Sequence, residues 1–382
     1  MHISHIHLHA FKRFHDINVY IDGSPRLVVL CGPNGIGKSS LLDGLKAWHS
    51  LHHTGAQWNL SDPYFVRQTE PVQQQAVIGA VDFGELPDQS AVDPRKFLYI
   101  RSAYRHEPEF TVSAVGRAGD IADAPKAQRL IETESKVSDN YLRLISSSLT
   151  DIYSGEHDTE TVKQLRDRHI LVLRENLQVL FPDLLLEGPG DPLAGGTFFF
   201  TKGNQSGFRY QNLSGGEKAA FDLLLDLVVK SEFYDNTVVC LDEPELHMNA
   251  RLQANLLDVM LSILPENNQL WVSTHSIGML RRAFDIWSGD PASTTFLDFT
   301  GLDLDSPVTL RPATPSREFW KRTLDVALGD LATLVAPSRI VLCEGKPATA
   351  TPTPKSHPFR PPPDQGFLAM IGVDGQVGRV SE

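Results

Sequence analysis

Cysteine is scarce, with three in 382 residues. Cys31, Cys240 and Cys343 each lie in a short apolar run, and no two are close in sequence. A disulfide framework or a zinc cluster needs closely spaced ligands, so neither is expected, and the three read as reduced, buried strand residues. Long apolar runs are lacking too. None approaches the ~18 residues of a membrane span. The N-terminal Met1-His2-Ile3-Ser4-His5-Ile6-His7 has no apolar centre of the signal-peptide kind. The expectation is a cytoplasmic protein with no membrane partner. Positive charge is in deficit: 35 Lys and Arg face 47 Asp and Glu, for a net charge of −12. Such a field disfavours coating nucleic acid or anionic membrane. A local basic groove stays open, with Lys96, Arg101 and Arg105 as a candidate patch. Internal repeats and sustained heptads are missing, which excludes a long coiled-coil arm.

What is present is globular. Hydrophobic residues are 41% and charged residues 21%, enough for a large core and too apolar for wholesale disorder. At roughly 150 residues per domain the chain holds two to three domains' worth. Ile6, Leu8 and Ala10 alternate with His5, His7 and His9, the period of a strand. The histidine side reads as a solvated face, because a metal site needs converging ligands. Ile17, Val19 and Ile21 alternate again, and Leu27-Val28-Val29-Leu30-Cys31 reads as a strand buried on both faces. Strand-like pieces follow at Ala76-Val77-Ile78 and Phe97-Leu98-Tyr99-Ile100. From about residue 125 apolar residues recur at helical spacing through Leu180. Strands return at Leu184–Leu186 and Thr197–Phe200, before a polar turn at Lys202–Gly207. A helix pattern at Glu217–Val229, a strand at Thr237–Leu241, a helix near 249–262 and a strand at Gln269–Ser273 come next. Pro315-Ser316 opens another helix, and Ile340–Cys343 is a last short strand. Between Pro347 and Pro363 seven of seventeen residues are proline, a non-globular composition.

Four motifs point to chemistry. Gly32-Pro33-Asn34-Gly35-Ile36-Gly37-Lys38-Ser39 matches G-x-x-x-x-G-K-[ST] in full, between a buried strand and a helix pattern. Its glycines let backbone N–H groups wrap an anion, and the helix start adds partial positive charge under phosphates. Lys38 is expected to reach the β- and γ-phosphates of ATP, the Ser39 hydroxyl to ligate Mg²⁺, and Ser40 to flank the phosphates. Second, Thr237-Val238-Val239-Cys240-Leu241-Asp242-Glu243 is an apolar strand ending in two acids. Asp242 there would hold Mg²⁺ and Glu243 would polarise the attacking water. Third, Leu213-Ser214-Gly215-Gly216-Glu217-Lys218 opens a helix. Serine is an ordinary N-cap, but two glycines in a first turn are costly unless the backbone must approach a ligand closely. Fourth, Ser273-Thr274-His275-Ser276 follows a strand. The glutamine expected near the nucleotide stays open among Gln68, Gln73, Gln74 and Gln75.

In this order the motifs resemble those of ABC-type ATPases of the Rad50, SMC and RecF branch, with LSGGE as signature and His275 as switch histidine. The resemblance implies that Ser214, Gly215 and Gly216 contact a nucleotide held by a second protomer, and hence at least a head-to-tail homodimer. Leu8-His9-Ala10-Phe11-Lys12-Arg13-Phe14 before the P-loop, and Asp242-Glu243-Pro244-Glu245-Leu246-His247, resemble the OLD-like, AAA15/AAA21-type ATPases. Ile340–Gly345 resembles the opening of a TOPRIM nuclease domain, yet no D-x-D pair follows Glu344. The chain is therefore similar to OLD-type ATPases of two-component phage-defence systems such as PARIS, with a separate TOPRIM partner, and Septu, with an HNH partner.

The fold expected is α/β: an ABC-type P-loop ATPase head, its mixed sheet flanked by helices, with a small helical insertion. The boundaries drawn are 1–110 and 186–338 for the head, 111–185 for the insertion, and 339–382 for a TOPRIM-like strand stub and proline-rich tail. Lys38, Glu243 and His275 are the expected catalytic residues. The function implied is an Mg-ATP hydrolase that senses a phage trigger protein and controls a separate effector nuclease. The alternative is a RecF- or SMC-like repair ATPase that clamps duplex DNA.

Overall fold

The structure, a computed structural model, describes residues 1–53, 62–67, 72–84, 93–103, 130, 139–154, 159–191, 196–231, 233–323, 368–371 and 377–380. The backbone divides into two units, Met1–Thr323 and Leu324–Glu382.

In the first unit the chain runs β1 (Ile3–Phe11), β2 (Phe14–Tyr20), β3 (Leu27–Cys31), α1 (Lys38–His53), α2 (Gln74–Ile78), β4 (Val81–Phe83) and β5 (Leu98–Arg101). It continues with α3 (Asn140–Tyr153), α4 (Val162–Leu180), β6 (Leu184–Pro189), β7 (Phe198–Lys202), β8 (Gln205–Arg209), α5 (Gly215–Ser231) and β9 (Val238–Asp242). Then come α6 (Ala250–Ile263), β10 (Gln269–Thr274), α7 (Ile277–Gly289), β11 (Thr294–Asp298) and β12 (Pro307–Leu310). In the second unit β13 (Leu368–Ile371) and β14 (Val377–Val380) form an antiparallel pair.

The central sheet is parallel, in the order β11-β3-β10-β9-β5. Strands β3, β9, β10 and β11 are buried along their whole length because both faces are covered. Alternation divides each strand between two cores. Leu27, Val29 and Cys31 of β3 join one core with Val239, Leu241, Leu270 and Val272, under α3 to α7. Val28, Leu30, Val238, Cys240 and Trp271 point the other way, toward α1 and a second sheet. That second sheet is mixed, in the order β12-β2-β1-β4, with only β12 and β2 parallel. The architecture is thus α/β, parallel and mixed sheets flanked by helices.

Cys31 and Cys240 are buried and free; Cys343 lies outside the described residues. His5, His7 and His9 face Asp82, Asn18 and Asp16 at 3.0–3.2 Å, and no metal-holding cluster occurs among the described residues. No helix among them is long and apolar enough to cross a membrane. Two expectations need correction. Ala76-Val77-Ile78 lies on the short helix α2, not a strand, because a three-residue apolar run carries no period. The polar turn is shorter than expected, and Gln205–Arg209 forms β8 on β7. Unforeseen from the sequence were α7, β11, β12 and the β13–β14 pair. α3 and α4 lie inside the span 111–185 and pack into the first core. Residues 317–323 are helical, as far as that helix is described. The expected strand at Ile340–Cys343, Glu344 and the proline-rich stretch lie outside the described residues.

Candidate functional site

Parallel strands carry their functional residues past their carboxyl ends, and β3, β9 and β10 are neighbours. Strand β3 leads into the Gly32–Lys38 loop and α1. Gly32 (φ 140°), Gly35 (φ 76°) and Gly37 (φ 105°) adopt backbone conformations that side chains disfavour. A Cβ on Gly37 would also lie 3.0 Å from both Leu304 Cδ1 and Phe14 Cε1. Lys38 is buried and donates to the carbonyls of Gly32 (2.7 Å) and Pro33 (3.0 Å). Burial pulls its ammonium below the usual lysine range, while Glu243 and Asp242 oppose this.

Strand β9 delivers Asp242 to the same place. The Ser39 and Ser273 hydroxyls both hydrogen-bond to the buried Asp242 carboxylate. Burial nonetheless raises its pKa, and nearby Glu243 adds to the rise. Glu243 sits in left-handed backbone (φ 44°), its N–H donating to the Ser273 carbonyl at 3.0 Å. Strand β10 supplies His275, whose Nδ1 lies 3.5 Å from Glu243 Oε1. The imidazole titrates above its ordinary value, chiefly because of Glu243, with burial opposing and Glu245 assisting.

Ser214 stands at the start of α5, in a capping box. Its N–H and hydroxyl donate to Glu217 Oε2 (both 2.8 Å), and the Glu217 N–H donates back to the hydroxyl at 3.4 Å. Lys202 on β7 donates to the other Glu217 oxygen at 2.7 Å. Gly215 has open space around it, but a Cβ on Gly216 would come 2.8 Å from the His247 carbonyl. The structure therefore brings Lys38, Ser39, Asp242, Glu243 and His275 together within one protomer. Among the described residues no hydrogen bond links the Ser214 side chain to them.

Some candidates fall elsewhere. Gln73, Gln74 and Gln75 lie at the start of α2, beside the second sheet; Gln68 is outside the described residues. The edge strand beside β9 is β5, which ends at Arg101 and is followed by Ser102 and Ala103, so no glutamine follows it directly. The basic patch also needs correction. Arg101 is 2% exposed and donates to the Asp222 carbonyl at 3.0 Å. The Lys96 ammonium lies over the Phe233 ring, 4.7 Å from its centre; Arg105 is outside the described residues. Sequence reasoning gave no role to Lys202 or to Glu217. It quoted Glu245 only as part of a motif, although that carboxylate is buried beside His275.

The donor set suits a magnesium nucleotide. Ser39 and Asp242 offer hard oxygens on facing elements, and the glycine loop presents backbone N–H groups around Lys38.

The profile of the family described as "AAA domain, putative AbiEii toxin, Type IV TA system" matches residues 27–281, from β3 into α7. Three solved structures are similar. One is an SMC head bound to the C-terminal winged-helix domain of ScpA, 15% identical over 84% of this chain and 100% of that one, TM-score 0.47. Another is an Smc head with an extended coiled coil, bound to the ScpA C-terminal domain, from Pyrococcus furiosus (13%, covering 85% and 98%, TM-score 0.40). The third is an SMC head domain from Thermotoga maritima (14%, covering 82% and 100%, TM-score 0.39). No curated protein matches the sequence.

Proposed function

The chain belongs to this AAA-domain family, and from that premise we propose that it binds Mg-ATP and hydrolyses it between head-to-tail protomers. The observation that carries the reading is the meeting of Ser39, Asp242, Glu243 and His275 beside Lys38 at the ends of three adjacent strands.

On this reading the loop Gly32–Ser40, with Pro33, Asn34, Gly35 and Gly37, cradles the phosphates. Lys38 leaves the carbonyls of Gly32 and Pro33 for the β- and γ-phosphates. Ser39 and Asp242 hold Mg²⁺, which when bound neutralises phosphate charge. Glu243 orients a water and takes its proton. His275 exchanges its ion pair with Glu243 for a contact to the γ-phosphate. Ser214, Gly215 and Gly216 serve the partner's nucleotide; in its own protomer the Ser214 hydroxyl is held by Glu217 at the start of α5. The domain division at 110, 185 and 338 belongs to the same reading.

We extend this to the wider role: a sensor and scaffold governing a separate effector nuclease of TOPRIM or HNH type in anti-phage defence. The Asp242–His247 stretch supports it, as does a family description that names a toxin–antitoxin system, an arrangement of two components.

Two variants test the proposal. Lys38→Ala is expected to abolish nucleotide binding, read by a fluorescent ATP analogue. Glu243→Gln is expected to lower the hydrolysis rate by roughly 10²–10⁴-fold and to trap an ATP-dependent dimer, read by light scattering. Wild-type turnover by Glu243→Gln would refute the base assignment. A monomer with ATP present would refute the shared site. Co-purification with a nuclease without DNA stimulation separates the defence role from a DNA clamp, whose ATPase would rise with DNA and fall steeply with salt.

A further inference from the structure

Glu245 is a buried carboxylate without an evident reason for its charge. It is 2% exposed. Its Oε1 accepts the Thr274 hydroxyl and, at 3.3 Å, the His275 backbone N–H. Its Oε2 is buried and has no hydrogen-bond partner. Taking a carboxylate out of water costs several kcal/mol by order of magnitude, unless the charge is balanced. A glutamine carbonyl would accept the same two hydrogen bonds without that cost. Burial raises its pKa, so an ionised Glu245 needs a counter-charge close by.

The imidazole of His275, the residue whose backbone N–H Glu245 accepts, can supply that counter-charge. His275 Nδ1 is also buried without a hydrogen bond, 3.5 Å from Glu243 Oε1. The imidazole thus meets Glu243, while Glu245 accepts the backbone N–H of the same residue and acts on the ring through its charge. The other charged group acting on it is Lys38, which opposes them. The turn that bears the imidazole is pinned on both sides. Glu245 holds it from β9's side, and the Ser276 N–H donates to the Thr274 hydroxyl at 2.9 Å. The Ser276 hydroxyl caps α7 and donates to Gln253 on α6.

We propose that Glu245 is a positioning residue that acts through His275: it anchors the turn from which the imidazole projects and, with Glu243, keeps that imidazole cationic for the γ-phosphate. The inference rests on the ATPase reading above and deepens it. When His275 leaves Glu243 for the nucleotide, Glu245 remains as the counter-charge bonded to its backbone. A cationic imidazole stabilises phosphate charge that a neutral one cannot.

Glu245→Gln and Glu245→Asp in the full chain test this. Glu245→Gln keeps the acceptor and removes the charge; Glu245→Asp keeps the charge and withdraws the anchor. The His275 imidazole is followed by NMR titration of the nucleotide-free protein, its signal assigned by its loss in His275→Gln. Glu245→Gln is expected to weaken proton affinity about tenfold, a midpoint shift of about one pH unit, while Glu245→Asp holds it within about twofold. ATP turnover by Glu245→Gln should fall at least about tenfold at pH 8 and recover toward pH 6, where the imidazole is charged regardless. ADP affinity should stay within about twofold, since ADP lacks the γ-phosphate. An unchanged His275 midpoint in Glu245→Gln overturns the proposal. If the wild type does not hydrolyse ATP, the ATPase reading fails instead, and the titration still judges the pairing. A purely structural role would lower stability in both variants without moving the midpoint.

Discussion

At Gly37 two constraints coincide. The backbone takes φ 105°, and an added methyl would press on Leu304 and Phe14 at 3.0 Å. Neither neighbour is a flexible surface side chain, since both are buried. Gly37→Ala should therefore lower unfolding free energy by about 1–3 kcal/mol, read as a shifted urea midpoint with unchanged slope, and weaken nucleotide binding with it. Gly35, where nothing lies within 4 Å of the added atom, should suffer only the backbone strain (φ 76°) and lose less. His275 gives a second test at this scale, with a definite sign. Its pKa is raised in the folded state. Its pairing therefore stabilises fully below the unfolded value of about 6.5 and is lost as pH rises through the folded value. His275→Gln should thus cost most stability near pH 6. The gap to wild type should close toward pH 9; a gap that widens with pH would refute the pairing. These residues were legible in the sequence because phosphate chemistry admits few residue types in few positions. The neighbours that hold them, Thr274, Ser273 and Glu245, were not singled out for that role. Their part depends on which strands become adjacent.

At the scale of elements the start of α5 joins two parts of the site. Ser214 and Glu217 close the capping box, Lys202 braces it from β7, and a Cβ on Gly216 would meet the His247 carbonyl of the turn that begins at Glu243. Glu217→Ala should destabilise by about 1 kcal/mol through the lost cap. Gly216→Ala should do more to turnover than to stability. Its methyl would push on the turn that follows Asp242, where Glu243 (φ 44°) and His247 (φ 67°) are already left-handed. Comparing melting temperature with kcat for the two variants separates these effects. The strands β3, β9 and β10 could be read from sequence because each is a short run buried on both faces. Strand β8 could not, since its exposed Gln205–Gly207 looks like a turn and only pairing with β7 makes it a strand. Nor could α2, too short to show a helical period.

Across the whole first unit, one buried polar network ties the edge of the parallel sheet to the helical layer. Asp226 on α5 is fully buried and accepts from the Tyr99 hydroxyl on β5, from Asn140 on α3 at 2.7 Å, and from Lys230 one turn along. Arg101 stands 3.8 Å away at the end of β5. The Asp222 carboxylate, one turn earlier, accepts from the Tyr210 hydroxyl, with its two oxygens at 2.8 and 2.9 Å. In the sequence Asp222, Asp226 and Lys230 look like the solvated side of an amphipathic helix; only the burial of α5 on every side reveals otherwise. Burial raises the pKa of Asp226 and lowers that of Lys230, and each partner's charge opposes the other's shift. Removing one member leaves the other charge buried and unpaired, which typically costs about 3–5 kcal/mol. Asp226→Asn or Lys230→Met alone should therefore unfold at much lower urea. The double variant Asp226→Leu/Lys230→Met removes both charges and should recover part of that loss. A loss in the double variant equal to the sum of the two single losses would mean the pair is not coupled. The double variant would also loosen β5 and α3 from the helix that presents Ser214. ATP-dependent dimerisation should then weaken even where stability has returned, which light scattering of the refolded double variant can read directly.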